Sequence, residues 1–217
     1  MLRLRLPCAF LAEHSKDLRA RIETSLSIPA HLRDPIRLST ADPRAFEIYL
    51  QWLYHGNLHM HIESSHGKQL VRIPELDDAL AAWELGQDLL DATFQDACTD
   101  HVLALAMEFD PAPWGYVRRI YGVTNHGSGL RRLFRAMMCE EKLPLQWRRD
   151  ETLGSQMLGQ AAYEEYKVER RENGKTWDKR KAGKVEGTWR DGGCRFHDHG
   201  GDECGATKHL RTLEGRK

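Results

Sequence analysis

The feature that most restricts this chain is a set of apolar stripes at helical spacing, cut to short lengths by residues that cap or stop helices. In "DPRAFEIYLQWLYHGN" (42–57), Phe46, Tyr49, Leu50 and Leu53 recur at i, i+3, i+4 and i+7, on one helical face. Asp42 is placed to cap that helix, and Pro43 suits its first turn, where the missing N–H costs nothing. Gly56 and Asn57 tolerate the left-handed conformation that ends it. Ile48 and Trp52 widen the face toward a second contact, so the helix is expected to be buried.

The pattern repeats along the chain. From Pro74 a helix carries Leu76, Leu80, Trp83 and Leu90, and Asp91 caps a following helix with Phe94, Ala97, Cys98, Val102 and Leu105 on one face. Helices joined so tightly predict an antiparallel pair. After "DPAP", Trp114, Val117 and Tyr121 mark another helix, and Ser128 caps a segment bearing Leu130, Leu133, Phe134, Met137 and Met138. Near the front, Phe10, Leu11, Leu18 and Ile22 predict a partly buried helix within 8–26. Ile36 and Leu38 alternate with polar neighbours in "PIRLS" (35–39), which predicts a short half-buried strand; "LVRI" (70–73) reads as strand or as lead-in to the next helix. Beyond "LPLQW" apolar residues thin out: a weak helix is expected over about 156–172, and much of 173–217, rich in Gly, Lys, Arg and Asp, is expected to be mobile.

Composition narrows the function classes little. The 217 residues suffice for one domain and an appendage, and 32 basic against 32 acidic residues create no demand for nucleic acid, a membrane surface or an acidic substrate. No apolar run approaches the roughly 18–20 residues that span a bilayer, so the chain reads as soluble and not secreted. Five scattered cysteines suit a reducing compartment, cytoplasmic or nuclear, better than a disulfide framework.

Local chemistry is sparse. Cys194, His197, His199 and Cys204 are the candidate metal ligands, of types that zinc takes tetrahedrally. Their C-x-x-H-x-H-x-x-x-x-C spacing lacks the separated pairs of ordinary fingers, and few apolar residues surround them, which favours a surface loop with reduced thiols. No cofactor is expected. "WDKRKAGK" (177–184) reads as a solvated linker rather than a phosphate-contacting patch or import signal, and "HGSGLRR" (126–132) as a helix cap rather than an anion site. Neither G-x-S-x-G nor H-E-x-x-H occurs. The aromatic helix has no catalytic polar group arranged beside it, so contact explains it better. Phe46, Tyr49, Trp52, Tyr54 and His55 are the candidate partner-binding residues, where aromatics give large area at low entropy cost; most of that surface is expected to be core.

Together, "LSTADPRAFEIYLQWLYHGNL" (38–58), "LDDALAAWELGQDLLDATFQDACTDHVL" (76–103), "IYGVTNHGSGLRRLF" (120–134) and "CRFHDH" (194–199) resemble a BTB/POZ protein of the filamentous-fungal type. The resemblance covers roughly 33–140 well and the tail patchily. It departs at the front, where the family's opening hairpin and "F-x-V-H-K-x-x-L" helix have no counterpart. The expectation is therefore an amino-terminally truncated member with an exposed sheet edge and apolar patch.

What the resemblance implies is an α/β (α+β) fold, mostly helical: a BTB/POZ-like helical core with a short residual sheet, plus a helical and disordered carboxy-terminal extension. The boundaries expected are a partial BTB/POZ-like domain over 1–110, a helical extension over 111–143 and a polar, partly disordered tail over 144–217. It further implies a non-enzymatic protein–protein interaction module that self-associates or recruits partners, a cullin scaffold among them, to a ubiquitin ligase. The alternative is a nuclear regulator whose basic, Cys/His-containing tail binds nucleic acid or zinc.

Overall fold

The structure, a computed structural model, describes residues 8–34, 36, 42–56, 58, 72–108, 114–140, 143–181 and 196–197. The chain divides into two compact units, Met1–Cys98 and Thr99–Lys217, with the boundary inside one helix.

In the first unit, α1 (Cys8–His14) and α2 (Lys16–Leu26) replace the single front helix expected within 8–26. Ser15 separates them: its hydroxyl accepts from Leu18 N (3.0 Å), capping α2, and donates to Leu89 O (2.6 Å). A residue that caps from a β-region backbone cannot also continue the preceding helix. Leu18 and Ile22 turn α2's apolar face inward.

Helix α3 (Pro43–His55) forms as its sequence dictates. The Asp42 carboxylate accepts from Arg44 N at 2.8 Å, Pro43 occupies the first turn, and Gly56 closes the helix at φ 68° with its N–H on Trp52 O (2.7 Å). Its lengthwise neighbour is α4 (Arg72–Asp88), which buries Leu76, Ala79, Leu80 and Trp83. The expected antiparallel pairing of α4 with α5 (Ala92–Glu108) is not the principal contact of α4. The turn explains this: Leu90 N bonds Gln87 O and Asp91 N bonds Gly86 O, which ends α4 in a Schellman motif before Asp91 starts α5. Gly86 lets α5 approach, since a Cβ there would lie 2.8 Å from Gln95 Cγ and 3.0 Å from Phe94 Cδ1.

The second unit contains α6 (Val117–Val123), preceded by a 3-10 turn at Trp114–Tyr116, then α7 (Gly129–Glu140), α8 (Leu145–Arg149), α9 (Glu151–Leu158) and α10 (Gln160–Lys181). Its core gathers Val117, Ile120, Leu130, Leu133, Phe134, Met137, Leu158 and Ala162, and α7 packs chiefly along α10. The helix expected over 156–172 is two helices. Asp150 caps the first through Leu153 N (3.0 Å), and Gly159, at φ 87°, breaks the chain before the second. Gly154 admits no side chain, because a Cβ would overlap Trp147 O and the Tyr163 ring. The helical extension 111–143 and the first part of the 144–217 stretch thus share one unit.

The α/β class with a short residual sheet is corrected. Among the described residues there is no strand. Of the expected 35–39 strand only Ile36 is described, and it lies outside regular structure; Arg72 and Ile73 from the second candidate open α4. An isolated short strand has no ladder for its backbone donors and acceptors, whereas a helix satisfies its own. The exposed sheet edge expected at the front has no counterpart among the described residues. The disorder expected over 173–217 concerns residues that, apart from 173–181 in α10 and from Phe196 and His197, lie outside the described ones.

Candidate functional site

The candidate partner-binding residues of α3 part company by burial. Tyr49 and Trp52 belong to the core, Phe46 is half-buried, and Tyr54 and His55 are exposed. The aromatic rings form one cluster: Tyr49 stacks on Trp52 (centroids 6.1 Å apart), meets Phe94 edge-on (4.9 Å) and tilts against Phe46 (6.2 Å), while Phe94 lies 5.2 Å from Trp52. His14 meets Trp52 edge-on at 5.7 Å. These are the spacings of packed aromatic pairs, worth about 0.5–1.5 kcal/mol each beyond area burial.

One polar group is set into this cluster. Asp91 Oδ1 accepts from Phe94 N (3.0 Å), capping α5, and Oδ2 accepts from the Tyr49 hydroxyl (3.1 Å). Burial raises the Asp91 carboxyl above its ordinary value, against the opposing pull of these hydrogen bonds. Burial, then the neighbouring Asp91 charge, raises the Tyr49 phenol, so it stays protonated and donating. Burial likewise raises the Cys98 thiol well above its usual value, away from the thiolate that nucleophilic chemistry uses.

Sequence reasoning missed a second feature of this unit. After α2 the chain turns through Pro29–Leu32, and Arg33 ties the turn down by donating from Nε to Ile28 O (2.8 Å) and from Nη2 to Leu26 O (3.2 Å). This held segment leaves Leu26, Ile28 and Leu32 at 55, 38 and 63% exposure, and Ile36 beyond it is 39% exposed. The available signal was four large apolar residues in "LSIPAHLRDPI" with neither helical nor strand period.

In the second unit the polar residues converge on Glu165. Its carboxylate accepts from the Tyr121 hydroxyl (3.0 Å), lies 2.8 Å from His126 Nδ1, and pairs with Arg131 (3.4 Å) and Arg135 (3.6 Å). Arg131, nearly buried, donates to Tyr121 O (2.9 Å), Thr124 O (2.5 Å) and Thr124 Oγ1 (3.2 Å), and its guanidinium lies over the Tyr121 ring at 4.5 Å. It thereby satisfies carbonyls at the end of α6. Burial first, then the Glu165 charge and hydrogen bond, raises the Tyr121 phenol. The chemistry available here is cross-linking of α6, α7 and α10 by hydrogen bonds and ion pairs centred on Glu165.

Of the metal-ligand candidates, His197 is buried with Nε2 2.8 Å from Asp100 Oδ1, while Cys194, His199 and Cys204 lie outside the described residues. Among the described residues no group of three or more His, Cys, Asp or Glu is placed to hold a metal ion. Ser128 caps α7 by accepting from Arg131 N (3.3 Å), as expected for "HGSGLRR". No helix among the described residues is long and apolar enough to cross a membrane. No protein family, curated protein or solved structure matches the chain.

Proposed function

We propose that this chain is a non-enzymatic protein–protein interaction module of the cytoplasm or nucleus, acting by self-association or by recruiting a protein partner. The observation that carries the reading is the Arg33-held turn, which presents Leu26, Ile28 and Leu32 to solvent. Exposed apolar side chains on a segment tied down by its own hydrogen bonds gain by burial against a partner, at little ordering cost. Tyr54 of the same unit is also exposed, at 56%. The buried titratable groups support the same reading, because Asp91, Tyr49 and Tyr121 are engaged in capping and packing. The BTB/POZ resemblance over 38–58 and 76–103 gives the partner class: a second copy, or the amino-terminal domain of a cullin.

Light scattering coupled to size exclusion, on the wild-type chain and on L26D/L32D, tests self-association. A wild-type dimer that becomes monomeric in the variant, with unchanged circular dichroism, is the expected result. Titration calorimetry against cullin amino-terminal domains tests the adaptor role. A strictly monomeric wild-type chain that also gives no heat with any of them removes the reading.

A further inference from the structure

The second unit holds a short piece of chain in a manner the interaction reading does not use. Phe196 and His197 are both buried. His197 places Nε2 2.8 Å from the Asp100 carboxylate of α5, and its backbone carbonyl accepts from Arg132 Nη2 of α7 at 2.7 Å. The Phe196 carbonyl crosses the start of α7 at Gly129, where a Cβ would overlap it. An aromatic anchor, a side-chain pair and a grip on the backbone are thus concentrated on two adjacent residues. Docked peptides are held by the same combination of an anchoring side chain and bonds to their backbone.

The walls of this socket are held by bonds that involve neither Phe196 nor His197. Ser128 caps α7 through Arg131 N, Arg132 N bonds Ser128 O (3.0 Å), and the Arg132 guanidinium also donates to Gly127 O in the preceding turn. Asp100 stands on α5, with its side chain 41% exposed even with His197 in place.

We propose that Asp100, Gly129 and Arg132 form a peptide-docking socket, and that the chain's own Phe196–His197 occupies it as a displaceable ligand. The class of peptide it takes is an aromatic residue followed by histidine, with the histidine ring on Asp100 and its carbonyl on Arg132. Tethering raises the effective concentration of the cis segment, so a free peptide competes poorly until that segment is removed. This inference is independent of the apolar turn in the first unit.

The test is fluorescence anisotropy with a labelled peptide of residues 192–200 carrying C194S, titrated with the full-length chain and with its F196A/H197A variant. The expected result is binding to F196A/H197A at least tenfold tighter than to wild type. That gain is lost when the variant also carries D100N, or when the peptide carries H197A. Equal binding to wild type and F196A/H197A, or equal binding of a scrambled peptide, overturns the proposal. Loss of the folded circular dichroism signal in F196A/H197A overturns it as well, because the dipeptide is then core and not ligand. The D100N single variant, altered only at a partly exposed side chain, gives a second reading: faster hydrogen exchange at 196–197 with α7 protection retained is expected, and unchanged exchange there counts against the socket.

Discussion

Leu90 stands at the left-handed position of the turn that ends α4, with φ 53° and its side chain 60% exposed. A Cβ is disfavoured there by about 1–2 kcal/mol, partly offset by the extra chain entropy of glycine. L90G is expected to raise stability by about 0.5–1 kcal/mol, seen as a higher urea midpoint at constant m. Trp83 is buried at 1% exposure, and its indole N–H has no hydrogen-bond partner among the described residues. W83F therefore loses packing but no bond and is expected to cost under about 2 kcal/mol, against about 3–5 kcal/mol for W83A. Asp91 carries a pH signature. Its carboxyl is raised by burial, so the folded state binds the proton more tightly than the unfolded one. Stability is then lost as pH rises from the ordinary carboxylate value through the raised one. D91N keeps an acceptor for Phe94 N, and its melting temperature relative to wild type is expected to be more favourable at about pH 7 than at about pH 4.

At the scale of the element, α2 shows how sharply burial divides neighbours. Ile22 is 5% exposed and Leu26, one turn later, 55%. I22A is expected to cost about 2–5 kcal/mol, whereas L26D should change stability by no more than about 0.5 kcal/mol; thermal melts of both check this. The α6–α7 connection depends on a guanidinium rather than on apolar area. R131K keeps the charge but loses the fork that reaches Tyr121 O, Thr124 and Glu165 together, at an expected cost of about 1–3 kcal/mol in urea titrations. Most helices were legible because period and caps agree: Asp42, Gly56, Asp91 and Ser128 all mark boundaries where the sequence places them. The boundary at Ser15 was not legible. Its hydroxyl answers to Leu89 O, 74 residues away, and no local window contains that acceptor.

At the scale of the whole molecule, each compact unit has its own buried set, Leu80 belonging to the first and Leu133 to the second. L80A is expected to lower hydrogen-exchange protection in α3 and α4 more than in α7 and α10, and L133A to do the reverse. The division falls within α5, a place no linker composition marks, because Gly- and Pro-rich joints are not needed where a helix continues through. Of the candidate partner-binding residues, burial takes Tyr49 and Trp52 into the core and leaves Tyr54 and His55 outside; the α3 stripe alone predicted a buried face but not how wide it is.

The sequence by itself determined α3, α4, α5 and α7, since apolar period, capping side chains and glycine stops act over one or two turns. It also marked most of the faces that are buried, but Leu90, expected on the apolar stripe of α4, lies in the turn beyond that helix and is exposed. Only the tertiary structure decided that α4 lies along α3, that Glu165 gathers Tyr121, His126, Arg131 and Arg135, and that Phe196–His197 docks on Asp100, Gly129 and Arg132. Those contacts join residues dozens of positions apart, and their energies depend on distance and burial, which spacing along a chain does not contain.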